Sequence, residues 1–256
     1  MCTVVILVRP DHDWPLLLAA NRDERTARPW DAPAAHWPDR PGVVGGRDRL
    51  GHGTWMASRG GAFAAVLNRP GSLGPQHGKR SRGELPLLAL EHATASAAAE
   101  RLARLDAARY RTFNLVLADR QGAWFVRGGG GGHPEPSRLQ PGLHMITAHD
   151  PNDPASPRIR AHLKHFQAAP LPDPARSDWH GWIERLGDRS GPRESAINVP
   201  ADDGFGTVCS SLAAISADGR STWLFAAGPP DQAPFRPVTL RPVTLRPVTL
   251  RPVTLP

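Results

Sequence analysis

The strongest constraint on this chain lies in its first two dozen residues. Two apolar runs, Thr3–Val8 and residues 14–20, flank the turn-forming stretch Arg9-Pro10-Asp11-His12-Asp13. Runs this short and this rich in β-branched and aliphatic residues read as buried strands rather than helices. Joined by a five-residue turn, they form an antiparallel hairpin, and in that geometry the end of the second strand lies beside the start of the first. The hairpin therefore brings Asn21-Arg22-Asp23-Glu24 back to Met1-Cys2-Thr3. Cys2 is small enough for the initiator methionine in front of it to be removed. The product would carry a thiol and a free α-amine on one residue, the amine with an intrinsic pKa of about 7.7–8.0 and thus a fair base at neutral pH. A thiol titrates near about 8.5, lower beside a cation such as Arg22.

The remaining elements follow in order. Residues 26–49 are rich in Pro, Trp and Gly and are expected to form a long ordered loop, with Trp30 and Trp37 covering an edge of the core or lining a pocket. Residues 53–59 and 62–67 make a second hairpin around Gly60-Gly61. Ser81 is a helix N-cap before one long Ala/Leu-rich helix over 84–105. Residues 113–118 and 123–126 form a third hairpin, 128–132 a glycine spacer, and 143–147 a strand. Ser156-Pro157 opens a helix to about 167, Ser177 or Asp178 caps another to about 186, and 206–216 with 222–226 form the last hairpin. Hairpins dominate and no βαβ series appears, so the expected class is α+β: antiparallel sheets with helices packed on them.

From residue 233 the chain changes character. Arg236-Pro237-Val238-Thr239-Leu240 is repeated from 241, 246 and 251. A proline in every copy removes a ladder donor, so the repeats cannot form a central strand. The expected division is a domain over 1–232 and an extended or disordered tail over 233–256, outside the chemistry.

The formal charge of +7 raises the idea of nucleic acid, but the arginines are spread along the chain with only Lys79 and Lys164 as lysines, and no specific nucleic-acid partner is expected. Cys2 and Cys209 are the two cysteines, without zinc-site spacing. The first apolar run is far too short to span a membrane, and the expected location is the cytoplasm. His162 and His165, or His144 and His149 with Asp153, have separations compatible with metal binding. Eleven histidines make such coincidences common, so neither a metal nor another cofactor is expected.

Together, Met1-Cys2-Thr3, Asn21-Arg22-Asp23-Glu24, Ser81-Arg82-Gly83-Glu84-Leu85, Phe113-Asn114-Leu115-Val116-Leu117 and Phe205-Gly206-Thr207 resemble the NRDE family, which includes the transport and Golgi organisation protein 2. That family is similar in turn to N-terminal nucleophile hydrolases of the bile-salt hydrolase and penicillin V acylase kind. The resemblance implies a four-layer αββα sandwich of two mainly antiparallel sheets. It implies a nucleophilic Cys2, with Asp23 at the position of the aspartate near the nucleophile and Asn68, from Val66-Leu67-Asn68, as oxyanion donor. Two departures accompany it. The arginine those enzymes carry before their Asn-x-Asp segment is Ala20 here, which leaves Arg22 as the candidate cation, and their later asparagine falls in 147–152, where His149 and Asn152 are the candidates. No arginine near Val208-Cys209-Ser210-Ser211 matches their C-terminal one.

The resulting expectation has Cys2, Asp23, Asn68 and Arg22 catalytic, with Asn21, Glu24, Trp30, Trp37, His149 and Asn152 around the substrate. The reaction would be acyl transfer or hydrolysis on a small acyl amide or thioester. A second possibility, consistent with the family's link to haem movement and coenzyme A metabolism, is a non-catalytic binding or trafficking protein for haem or an acyl-CoA-like anion. Oligomeric state is not legible.

Overall fold

The computed structural model describes residues 2–240. Strand β1 (Thr3–Val8) pairs antiparallel with β2 (Leu16–Arg25), Thr3 opposite Asn21 and Val8 opposite Leu16. Every residue of β1 is buried, because both faces of its sheet are covered and no polar alternation is needed. β2 runs on past its apolar stretch and carries Asn21, Arg22, Asp23 and Glu24 as strand rather than as a turn. The cause is β11 (Phe205–Ile215), which pairs along all of β2 from Leu16↔Ile215 to Arg25↔Phe205, with one bulge between Thr207 and Cys209.

The expected loop over 26–49 instead contains two strands, β3 (Trp30–Ala34) and β4 (Val44–Asp48). Pro33 is tolerated in β3 because that strand is the outermost of its sheet, where one row of donors needs no ladder partner. The second hairpin is β5 (Met56–Arg59) with β6 (Ala62–Asn68), and the third is β7 (Phe113–Asp119) with β8 (Gly122–Gly128). A short polar edge strand, β9 (Glu135–Arg138), follows, then β10 (Gly142–Ile146), which pairs with β1. The last hairpin ends in β12 (Ser221–Ala226).

The single long helix expected over 84–105 is two, α1 (Leu85–Ala89) and α2 (Ala95–Leu102). A second N-cap sits inside the Ala-rich run: Thr94 Oγ1 accepts from Ala97 N at 3.1 Å, and Asp119 accepts from Ala95 N at 2.7 Å. Ser81 does cap, but its helix is only a 3-10 turn over Arg82–Glu84. Ser156 caps α3 (Pro157–Ala168) through Ile159 N, and Asp178 accepts from His180 N at the start of α4 (His180–Leu186).

One sheet has the order β10-β1-β2-β11-β12-β13 and the other β3-β4-β5-β6-β7-β8-β9, β13 being Arg236–Pro237; every strand pairing is antiparallel. Ile6, Leu18 and Trp223 of the first meet Phe63, Met56 and Val116 of the second in the central core. The first sheet's outer face packs on α3 and α4 through Phe166, Trp182 and Leu186. The second's packs on α1 and α2 through Leu85, Ala99 and Phe113. The layers are thus αββα, the α+β sandwich expected.

The first RPVTL copy is part of this sandwich. Phe225 pairs with Arg236 and Leu224 with Pro237, Val238 N donates to Trp223 O at 2.8 Å, and Val238 and Leu240 pack against the central core. Its proline sits on an outer strand, as the donor argument requires. The other three copies lie outside the described residues.

Candidate active site between the sheets

Strand alternation divides the Asn-Arg-Asp-Glu stretch between two layers. Asn21 and Asp23 face α3 and α4 together with Thr3, whereas Arg22 faces the opposite sheet together with Cys2. Asn21 is 1% exposed. Its amide donates to Leu186 O at 3.0 Å and Ile197 O at 2.9 Å, and its Oδ1 accepts from Ser210 Oγ at 2.6 Å. These bonds tie β2 to the helix layer, so the Asn21 side chain anchors the strand, while the residue itself borders the cleft.

Asp23 is equally enclosed. Its Oδ1 accepts from Thr207 Oγ1 at 2.7 Å and its Oδ2 from an Arg158 Nη at 2.9 Å; the same nitrogen donates to Thr3 Oγ1 at 2.8 Å. Thr3, Asp23, Thr207 and Arg158 are all buried, a charge-assisted cluster at the base of the first strand. The sequence reading passed over Arg158. Its signal was spacing: Arg158, His162 and Phe166 recur every fourth residue on the buried face of α3. A cation in a first helical turn also runs against the helix dipole and calls for a local anion.

On the other face, Cys2, Ala20, Arg22, Trp55, Leu67 and Cys209 line a cleft between the sheets with about 320 Å³ of empty space including its mouth. Arg22 is 6% exposed and sits over the Trp55 ring, its Cζ 4.2 Å from the ring centre. Trp55 can lie there because residue 46 is glycine; a Cβ would come within 2.1 Å of the ring. One Arg22 Nη is 3.6 Å from Glu24 and 3.7 Å from Asp48, too long for strong hydrogen bonds. The other, Nη1, is buried and has no hydrogen-bond partner among the described residues. Asp48 is held chiefly by Arg28, at 2.6 and 3.1 Å, and by the N–H groups of Leu50 and Gly51. Burial pushes its carboxyl up, but these donors outweigh burial and keep it below the usual carboxylate range.

The Cys2 thiol behaves differently from expectation. Burial first, and the charge of Asp23 second, push it above its ordinary value; Arg22 pulls it down, but less. The sulfur lies 3.7 Å from the Asp23 carbonyl oxygen. In the chain that retains Met1, alkylation of Cys2 by iodoacetamide should rise with pH through an inflection above 9.0, the ordinary thiol value. Arg22→Ala should move that inflection higher, and an inflection at or below 9.0 would contradict the balance of charges described here. Cys209 is buried more deeply and desolvation pushes it to about 12, so it does not compete for the reagent.

Arg82 is a second cation that the sequence reading left without a role. Burial, then Arg111, push it down to about 10, while Cys2 and Glu24 pull it the other way, so it lies within electrostatic reach of the thiol. The turn carrying it is pressed against Gly53, where a Cβ would lie 2.3 Å from the Gly83 carbonyl carbon, and Thr54 N donates to Gly83 O at 2.8 Å.

The other expected residues lie around this centre. Trp30 meets Trp55 edge-on at 5.7 Å and Phe225 at 5.9 Å, forming a row behind the cleft. Trp37 is on the far side of the second sheet, packed on the helix core with its ring N–H donating to His52 O. Asn68 is half-buried at the end of β6 opposite Phe113, next to Leu67 but outside the cleft lining. The turn after β10 begins level with the start of β1, since Val4 pairs with Ile146. Within it, Asn152 has φ +60° and accepts from Met145 N at 2.8 Å, closing the outer edge of β10. His149 holds Asn114 through its carbonyl at 2.7 Å, and Asp150 accepts from Arg69 at 2.6 Å. Asn68 and His149 are thus linked through Arg69 and Asn114 at the rim, and neither lines the cleft.

Among solved structures, the chain is similar to the Caenorhabditis elegans N-acylethanolamine-hydrolyzing acid amidase ortholog. The TM-score is 0.56, covering 82% of this chain and 92% of that one at 15% sequence identity, a likeness of fold. No curated protein matches the chain by sequence. No helix among the described residues is long and apolar enough to cross a membrane. The profile of the Transport and Golgi organisation 2 family matches residues 1–224, and the chain belongs to that family.

Proposed function

We propose that the chain, once Met1 is removed, is a cysteine acyl-transfer enzyme or amidohydrolase acting on a small acyl amide or thioester in the cytoplasm. The observation that carries this reading is that Cys2 and the unpartnered Arg22 Nη1 share the inter-sheet cleft, with the buried Asp23 cluster on the other face of the same strand. The Cys2 α-amine accepts the thiol proton, and the thiolate adds to the substrate carbonyl carbon. The oxyanion forms within reach of Arg22 Nη1. Collapse breaks the C–N or C–S bond, and the α-ammonium protonates the leaving amine or thiolate. Water then hydrolyses the acyl-thioester, releasing the carboxylic acid and restoring the thiol. Asp23 orients the amine, supporting the base as the third member of a triad does. The amidase named in the structural comparison acts on acyl amides, which fits the same class.

A second reading has one observation in its favour. Burial and Asp23 hold the thiol in its protonated form when Met1 is present, and the same cleft would then bind an anionic ligand, haem or an acyl-CoA-like molecule, without chemistry. Intact mass spectrometry of the native protein with an electrophilic acyl-amide probe separates the two. The catalytic reading expects loss of Met1 and a single adduct on Cys2 that Cys2→Ala abolishes. Full retention of Met1 would rule out the α-amine mechanism, and saturable ligand binding that survives Cys2→Ala would favour the carrier.

A further inference from the structure

His162 and His165 lie one turn apart on α3, and the fold adds Asp188, just beyond α4. One donor atom from each of the three falls within 4.8 Å of the others. His162 has a side chain only 4% exposed, and its Nε2 is 2.9 Å from Ser195 O. A carbonyl can only accept, so Nε2 carries the hydrogen and the neutral ring keeps its lone pair on Nδ1. Nδ1 faces Asp188 Oδ2 at 3.9 Å, while Asp188 Oδ1 is engaged by Ser190 N at 2.7 Å. Two acceptors face each other across that gap, an arrangement that asks for positive charge between them. A divalent cation bound between them supplies it.

The surroundings match what a metal-binding histidine needs. Its other ring nitrogen is fixed on a backbone carbonyl, which sets tautomer and orientation. His165 is exposed, its ring nearly perpendicular to that of His162 at 6.2 Å. Metal–ligand bonds of about 2.0–2.2 Å allow donor atoms to lie up to about 4 Å apart, so a small rotation of the exposed His165 side chain closes the set. Two imidazoles and a carboxylate suit zinc-class transition ions rather than calcium or magnesium.

We propose that His162, His165 and Asp188 form a binding site for a divalent transition ion of the zinc class, separate from the Cys2 cleft, with water completing the coordination on the exposed side. Such an ion joins α3 to the segment following α4. Arg158 lies four residues before His162 on the same buried face of α3, so the ion steadies the helix that presents Arg158 to Asp23.

The test is a calorimetric titration of the chelator-treated full chain with Zn²⁺, and with Co²⁺ read by its visible absorption. One ion per chain is expected, with His165→Ala and Asp188→Asn each weakening affinity by about tenfold or more, Cys2→Ala leaving it unchanged, and Ca²⁺ failing to compete. His165 is exposed, so His165→Ala should keep a native circular dichroism spectrum and remain informative even if His162→Ala unfolds. No stoichiometric binding, binding indifferent to His165→Ala, or binding lost with Cys2→Ala would each overturn the proposal.

Discussion

Arg158→Ala is expected to lower the unfolding free energy by about 3 kcal/mol, the scale on which removing one partner of a buried ion pair acts. The guanidinium and the Asp23 carboxylate are 5% and 0% exposed and 2.9 Å apart, so water cannot replace the lost donor without opening the layer between the first sheet and α3. The substitution also takes a donor from Thr3 Oγ1. Arg158→Lys should recover only part of the loss, because an ammonium is not a planar fork that fits both acceptors. Combining Arg158→Met with Asp23→Leu should be milder than Arg158→Met alone, since it removes the buried charge together with its partner. Urea denaturation of the four variants measures this directly. A loss below about 1 kcal/mol for Arg158→Ala, as for an exposed pair, would mean that the carboxylate does not depend on α3.

Arg22→Met should have the opposite profile. Stability should change by no more than about 1 kcal/mol, because the ion pairs of Arg22 are long and its Nη1 makes no hydrogen bond among the described residues. The methionine can still cover Trp55. Acylation of Cys2 by the amide probe should nevertheless slow by roughly 10²–10³, the usual cost of losing one oxyanion donor. An unchanged rate together with a large loss of stability would make Arg22 a packing residue. Arg82→Gln is a useful companion, because Arg82 reaches the thiol only through its field.

How legible the molecule was depends on the range of the interactions involved. The hairpins came through because their signal is local: apolar runs of strand length, separated by turn residues, leave few alternatives. The helix over 84–105 came through as one because composition hides a cap. Thr94 is unremarkable in an Ala-rich run until Asp119, from a strand of the second sheet, reaches Ala95 N. Strand β4, which lies between β3 and β5, was hidden by Gly45-Gly46, residues of the kind that also mark loops, and β3 because an edge strand needs only one partner and tolerates Pro. The docked RPVTL copy was hidden for the same reason.

Within the site, the sequence by itself determined that Cys2 meets the Asn-Arg-Asp-Glu stretch, since two antiparallel strands joined by a short turn leave no other register that buries both apolar runs. It also determined the class of fold, through the succession of hairpins and the absence of parallel crossovers. Only the tertiary structure decided which of those four residues share a face with the thiol. Because the stretch is strand and not turn, Arg22 is sent to the cleft and Asn21 and Asp23 to the helix layer. Only the tertiary structure brought Arg158, 135 residues away from Asp23, to the carboxylate, and Asp188 to the two histidines. Side-chain partners on separate elements are chosen by how the layers stack, and no local pattern in the chain encodes that choice.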